Sequence, residues 1–329
     1  MGLVLRYGLT IKDFPEGLKR MKRALLLATC GCLSIVSAFG AKGGSNFTET
    51  TYQSYNPNTG LFNLTQSIGY ILPDPSRFGP GPYPVFIYVP GTYEQYEDML
   101  AQLFVTSMLN KGFIAATAAY SNTNLTQACV LYKPRTQGIF DSTRSNSASS
   151  VLCSLPSANC SAGIATAGIS MGGFLAVMSK NYDSRVQAVY ALSMSDYASN
   201  IGEPFPCVDK QNTAIPANRV TVVNGIADQA FAGQQPLENV SGFTCPNGAY
   251  QCWSPDGSGA GWYIVQNWQV TSGVADHCYF IDGNKSKSGC VGIGDPNWLP
   301  PAAENWSFGP NMDWLATMGT SRVWSQDGY

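Results

Sequence analysis

Between residues 85 and 265 the chain alternates short, unbroken apolar runs with longer stretches whose apolar residues recur every three or four positions. Val85-Phe86-Ile87-Tyr88-Val89 is the clearest run, of strand length and closed by Pro90-Gly91. Such a run predicts a strand covered on both faces, as in a parallel sheet. Similar strands are expected at Phe113–Ala119, Gly163–Ile169, Val186–Ser193, Val220–Asn224 and Trp262–Val265, with Trp268 as the outer limit of the last. Glu94–Asn110 carries Tyr96, Met99, Leu100, Leu103, Phe104, Met108 and Leu109 at helical spacing, with Gly112 as its stop. Residues 136–152 read as a polar-faced helix and Met171–Lys180 as another. Upstream, residues 45–60 are polar and turn-rich, 66–72 an early strand, and 73–84 a Pro/Gly-rich connection. Downstream, Met312–Met318 reads as a short docking helix. Trp298, Trp306, Trp314 and Trp324 read as core, with a carbohydrate platform as the alternative. Strand alternating with helix predicts an α/β fold, a mostly parallel central sheet with helices on both faces, in one domain over residues 46–329. Ligands then bind at the carboxyl ends of the strands. The 26 residues between Ser193 and Val220 are too few for a helical lid, so no large cap domain is expected and the cleft should be open.

Residues 1–45 break this pattern and read as a leader. Lys19, Arg20, Lys22 and Arg23 precede an apolar run from Ala24 to Phe39, and Ala38-Phe39-Gly40 offers a small-x-small cleavage site. The run is shorter than the roughly 20 residues of a spanning helix, so a cleaved signal peptide is expected, with an uncleaved anchor as the alternative. The long stretch before the basic cluster makes Met21 a candidate start. Charged residues are only 12% of the 329, so charge does not drive this chain to disorder. A net charge of −2 offers no basic field for nucleic acid. Ten cysteines occur, two of them in the leader. The eight others, behind a signal peptide, argue for disulfides. Pairing the nearest gives 153–160, 245–252 and 278–290, leaving 129–207. It is one of many connectivities, and Cys278 could pair instead with Cys245 or Cys252. A zinc site is disfavoured by the single histidine and the lack of a Cys-x-x-Cys pair. Seven Asn-x-Ser/Thr sequons, at Asn46, Asn63, Asn124, Asn159, Asn239, Asn284 and Asn305, exceed the about three that this composition gives by chance. They fit a secreted, extracellular glycoprotein.

Gly168-Ile169-Ser170-Met171-Gly172 fits G-x-S-x-G between an expected strand and an expected helix. A nucleophile elbow needs that context, because the sharp turn crowds the backbone two residues to either side of the serine. Gly173 adds room. His277 is the only histidine and lies beyond the last strong strand, where the order Ser…acid…His places a base. It would take the Ser170 hydroxyl proton and return it to the leaving group. Asp228, four residues after VTVVN, is the preferred acid. Asp196 is the rival, and Asp276 adjoins the histidine too closely to reach its ring nitrogen. The Met171 N–H is one expected oxyanion donor, and Thr92, or failing that Tyr93, the other.

VFIYVPGTYEQYE, NKGFIAATAAYSNT, AGISMGGFLA, NGIADQAF and His277-Cys278 together resemble the α/β-hydrolases, and within them the dienelactone-hydrolase-like branch that includes bacterial cutinases and polyester hydrolases. The resemblance spans about 85–280. It implies the α/β-hydrolase fold, Thr92 as oxyanion donor, and aromatic cleft walls for which Tyr93 and Tyr197 are the candidates. It also implies a serine carboxylic ester hydrolase of cutinase-like or carboxylesterase-like type, acting on small or polymeric esters. No cofactor and no metal are expected. After loss of the leader the protein is expected to be a monomer without stable membrane insertion. The alternatives are a carbohydrate esterase removing acetyl or feruloyl groups, supported only by the tryptophans, and a non-catalytic hydrolase-fold binding protein.

Overall fold

The computed structural model describes residues 47–123, 128–196, 206–282, 290 and 292–320, all within one compact unit. The leader and Tyr197 lie outside the described residues. The main sheet has nine strands in the order β1-β2-β4-β3-β5-β6-β7-β9-β8. They are β1 Thr48–Asn56, β2 Leu61–Ile71, β3 Val85–Val89, β4 Ile114–Ala118, β5 Ile164–Ile169, β6 Val186–Leu192, β7 Val220–Gly225, β8 Gln251–Trp253 and β9 Gly261–Val265. The run β4-β3-β5-β6-β7-β9 is parallel, while β2 and β8 join it antiparallel. Every residue of β3, β4, β5, β7 and β9 is buried, which is why these strands read as mostly apolar, with Thr117, Thr166, Thr221 and Asn224 as buried polar exceptions.

Helices cover both faces: α1 Met99–Leu109, α2 Ala128–Phe140, α3 Ala148–Cys153, α4 Met171–Met178, α5 Gln234–Ser241 and α6 Phe308–Met318. On one face α1 and α6 meet the sheet, with Phe104 stacked on Tyr88 at 4.7 Å and edge-on to Phe308 at 5.0 Å. Trp298 and Trp306 are buried in that layer, as a core reading requires, and Trp314 is half-buried. Residues of α2, α3, α4 and α5 pack on the other face.

Several elements differ from the expectation. Residues 45–60 are not all loop, because Thr48–Asn56 forms a hairpin with β2 through a turn at Gly60, φ 71°. Its burial alternates, so most of its side chains are polar and the apolar signal is thin. The helix expected from Glu94 starts at Met99, since Glu94 and Asp98 turn back onto the preceding loop: Gly91 N–H donates to Glu94 Oε2 and Gln95 N–H to Asp98 Oδ2. The helix expected over 136–152 is the end of α2 and the whole of α3. Asp141 breaks it by accepting from Thr143 N–H at 3.0 Å, and Ser147 then caps α3. The stretch between Asp228 and His277 holds α5 and the edge strand β8, neither of which was expected.

The eight cysteines among the described residues pair as 153–160, 245–252 and 278–290, the three short loops expected, with 129–207 as the remaining pair. No helix among the described residues is long and apolar enough to cross a membrane.

Candidate active site

Ser170 sits between β5 and α4 at φ 52°, ψ −123°, a region a non-glycine residue enters at a cost of about 1–3 kcal/mol. The glycines around it are required by space. A Cβ on Gly172 would lie 2.0 Å from the Val89 carbonyl oxygen, and one on Gly168 2.3 Å from that of Gly172. Gly173 faces the Met194 side chain, 2.9 Å from where its own Cβ would be. The Ser170 N–H donates to Leu192 O at 2.9 Å, fixing the elbow to the end of β6.

Asp228 and His277 come from two loops at the same end of the sheet. Asp228 follows β7, is fully buried, and places Oδ2 2.8 Å from His277 Nδ1. Its Oδ1 accepts the N–H groups of Ala230 and Phe231 at 2.9 and 3.1 Å, so the carboxylate is aimed from both oxygens. The bond through Nδ1 leaves Nε2 as the nitrogen able to accept a proton. The histidine side chain is about one-third exposed (33%). Its ring lies 5.4 Å from Phe231, which meets Phe174 on α4 edge-on at 5.6 Å.

The His277 loop is seated on the sheet by remote groups. Ser193, just past β6 at φ 47°, donates its hydroxyl to His277 O at 2.7 Å. Ala227 N–H donates to Ala275 O at 2.8 Å. The loop comes so close that a Cβ on Gly225 would stand 2.1 Å from Ala275 O. Asn224 clamps the ends of β6 and β7: its Oδ1 accepts Met194 N–H at 3.0 Å, and its Nδ2 donates to Met194 O and Phe231 O at 2.8 and 2.9 Å. The chain therefore brings Ser170, Asp228 and His277 to the carboxyl ends of β5, β7 and the loop beyond β9.

The other two candidate acids have other partners. Asp196 accepts Asn239 Nδ2 at 2.7 Å, and Asp276 Oδ1 accepts Cys278 N–H at 2.9 Å. Thr92 lies in the turn Gly91–Glu94 after β3, and Met171 opens α4; neither backbone N–H has a backbone acceptor among the described residues. Tyr93 is 46% exposed beside Thr92, at φ 61°. Sequence reasoning did not single out Ser193, Gly225 or Asn224. A sequence signal existed only for Gly225, as the glycine that closes VTVVNG.

No family model matches the sequence, and no curated protein matches it. Among solved structures, a cold-adapted esterase from an Arctic intertidal metagenomic library superposes with a TM-score of 0.47 at 11% identity, over 83% of this chain and 93% of that one. A putative dienelactone hydrolase from Klebsiella pneumoniae does so with a TM-score of 0.41 at 13% identity, over 67% and 85%. A hypothetical protein from Pseudomonas aeruginosa gives 0.37 at 17%, over 53% of this chain and about half, 51%, of that one. The chain has an α/β fold in which a mostly parallel, doubly covered sheet carries a serine on a strained strand-to-helix turn at its carboxyl end.

Proposed function

We propose that the protein is a secreted serine hydrolase that cleaves carboxylic esters through an acyl-enzyme. The observation that carries this reading is the 2.8 Å contact between Asp228 and His277 at the sheet edge that presents Ser170 on its elbow. In the proposed reaction His277 Nε2 removes the Ser170 proton as Oγ attacks the ester carbonyl. The N–H groups of Met171 and Thr92 receive the oxyanion, and the alcohol leaves with the proton from His277. Water then repeats the sequence on the acyl-enzyme, releasing the acid. Asp228 holds the imidazole in the required tautomer. Tyr93, exposed beside Thr92, is the proposed wall of the cleft on that side. Substrates are small or polymeric esters. The four disulfides favour an extracellular site of action.

The test is a panel of esters from acetate to palmitate and a polyester film, with Ser170→Ala as control. Loss of one triad member costs on the order of 10⁴–10⁶ in kcat. Wild-type turnover with stoichiometric fluorophosphonate labelling, both lost in Ser170→Ala, is the expected result. A Ser170→Ala variant with a tenth of wild-type activity would overturn the reading.

A further inference from the structure

The turn after β3 is tied down more heavily than a surface loop requires. Gly91 N–H donates to Glu94 Oε2 at 2.6 Å, and the Tyr88 hydroxyl reaches both carboxyl oxygens of Glu94, at 3.0 and 3.1 Å. Asn122, buried after β4, donates one amide to two carbonyls, Gly91 O at 2.7 Å and Glu94 O at 2.8 Å. Tyr120 donates its hydroxyl to Pro90 O at 2.9 Å. The turn closes with Glu94 N–H on Gly91 O at 3.3 Å, and Tyr93 within it is held at φ 61°. Both ends of a four-residue turn are thus fixed by buried side chains from β3 and from the segment after β4. Between those ends lie Thr92 and Tyr93.

We propose, resting on the ester-hydrolase reading, that Glu94 is a positioning residue that holds the Gly91–Glu94 turn so that the Thr92 N–H is pre-aimed at the developing oxyanion. A donor fixed before the reaction stabilises the transition state without reorganisation. A displacement of about 1 Å costs on the order of 100-fold in rate. Glu94 serves this role best when uncharged, since a carboxylate behind the oxyanion donor would oppose the negative charge forming in front of it. Burial, reinforced by nearby Asp98, pushes the Glu94 carboxyl up to about 8, against the opposing pull of the Gly91 and Tyr88 hydrogen bonds. The groups facing it are Tyr88 on β3, Tyr120 after β4 and Asp98 ahead of α1. The Arg135 charge on α2 acts on Tyr120. Burial holds both tyrosines well above their ordinary value, so they stay neutral as Glu94 titrates. Ionisation of Glu94 then predicts a fall in kcat as pH rises through about 8.

The experiment measures kcat and KM for a soluble p-nitrophenyl ester from pH 6 to 10 on the intact chain and on Glu94→Ala, Glu94→Gln, Tyr88→Phe and Ser170→Ala. Glu94→Ala is expected to lower kcat roughly 10- to 100-fold at pH 7 with KM changed less than about threefold. Glu94→Gln mimics the neutral acid. It should keep kcat within about threefold of wild type at pH 7 and lose the descending alkaline limb. A folded Glu94→Ala with wild-type kcat overturns the proposal. So does a Glu94→Gln variant whose alkaline limb matches wild type. If Glu94→Ala does not fold, Glu94→Gln and Tyr88→Phe decide, the latter expected to lower kcat by about tenfold. An active Ser170→Ala overturns the esterase reading and the role of Glu94 with it. An inactive Ser170→Ala beside an unimpaired Glu94→Ala overturns the role of Glu94 alone.

Discussion

The nucleophile elbow and the histidine loop solve the same problem, holding one side chain at the sheet edge, by different means. At the elbow the solution is local. Gly168, Gly172 and Gly173 flank Ser170 in sequence and vacate the space that the turn needs. At the histidine loop the solution is remote. His277 is seated by Ser193 from the end of β6, by Gly225 and Asp228 from the end of β7, and through its neighbour Cys278 by the disulfide to Cys290. At the elbow, the groups that Gly172 and Gly173 make room for include Val89 O from β3 and the Met194 side chain from the end of β6. A site held by distant strands depends on the whole sheet being in register.

The largest effect that bears on this difference is expected from Asp228→Asn. It keeps the shape of the loop but cannot hold His277 in the tautomer that frees Nε2. A loss in kcat of about 10⁴ is expected, with an unchanged circular dichroism spectrum. A loss under tenfold would mean that the 2.8 Å contact does not orient the base.

The two close approaches separate the regions next. Gly172→Ala places a methyl 2.0 Å from Val89 O, and Gly225→Ala places one 2.1 Å from Ala275 O. Both partners are backbone and cannot swing aside, so each variant should lose roughly 1–3 kcal/mol in urea unfolding. Gly172→Ala distorts the strand–helix junction beneath Ser170. Gly225→Ala pushes away only the histidine loop, so fluorophosphonate labelling should slow while the fold persists. If Gly225→Ala reacted like wild type, the histidine loop would not be seated through that contact.

Removing the crosslink is a gentler way to loosen the same loop. Cys278 and Cys290 are 12 residues apart. Opening a loop of that size costs about 3 kcal/mol in the chain-entropy account. Cys278→Ser with Cys290→Ser should lower the melting temperature and also kcat, because Cys278 adjoins the proposed base, His277. The Cys153–Cys160 bridge, far from the histidine in sequence, should on removal lower stability without lowering kcat per folded molecule. Equal kcat losses from the two deletions would erase the distinction between them.

A pH dependence of stability is also expected from Glu94. Its carboxyl is raised from 4.5 to about 8 by burial in the folded protein. Between those values the unfolded chain has released the proton and the folded chain retains it. Stability is therefore lost as pH rises from about 4.5 towards about 8. Differential scanning calorimetry of Glu94→Gln should show a flatter melting temperature over that window than wild type. Parallel curves would place Glu94 in solvent.

How much was legible follows from where each signal resides. The strands β3, β4, β5, β7 and β9 were visible because burial on both faces leaves few polar positions in them. The strand β1 was not, because only alternate residues such as Tyr52 and Ser54 turn inward. Helix α5, QQPLENVS, is mostly polar, and its structure depends on Leu237 and Val240 finding the sheet. The turn at Ser170 could be read from its glycines, and His277 stood out as the only histidine. Asn122, Asn224 and Ser193 are commonplace polar residues in the sequence and acquire meaning only once buried against particular carbonyls and amides.

By itself, then, the sequence determined the α/β alternation, the glycine-flanked turn at Ser170 and the chain order of Ser170, Asp228 and His277. Those are properties of local sterics and of short-range pattern, which the chain carries wherever it is. Only the tertiary structure decided which aspartate meets the histidine and which loops approach within van der Waals distance at Gly172 and Gly225. The same is true of the tie between Glu94 and the turn after β3. These depend on burial and on hydrogen-bond partners tens of residues away, and a polar side chain shows its value only when water has been removed from around it.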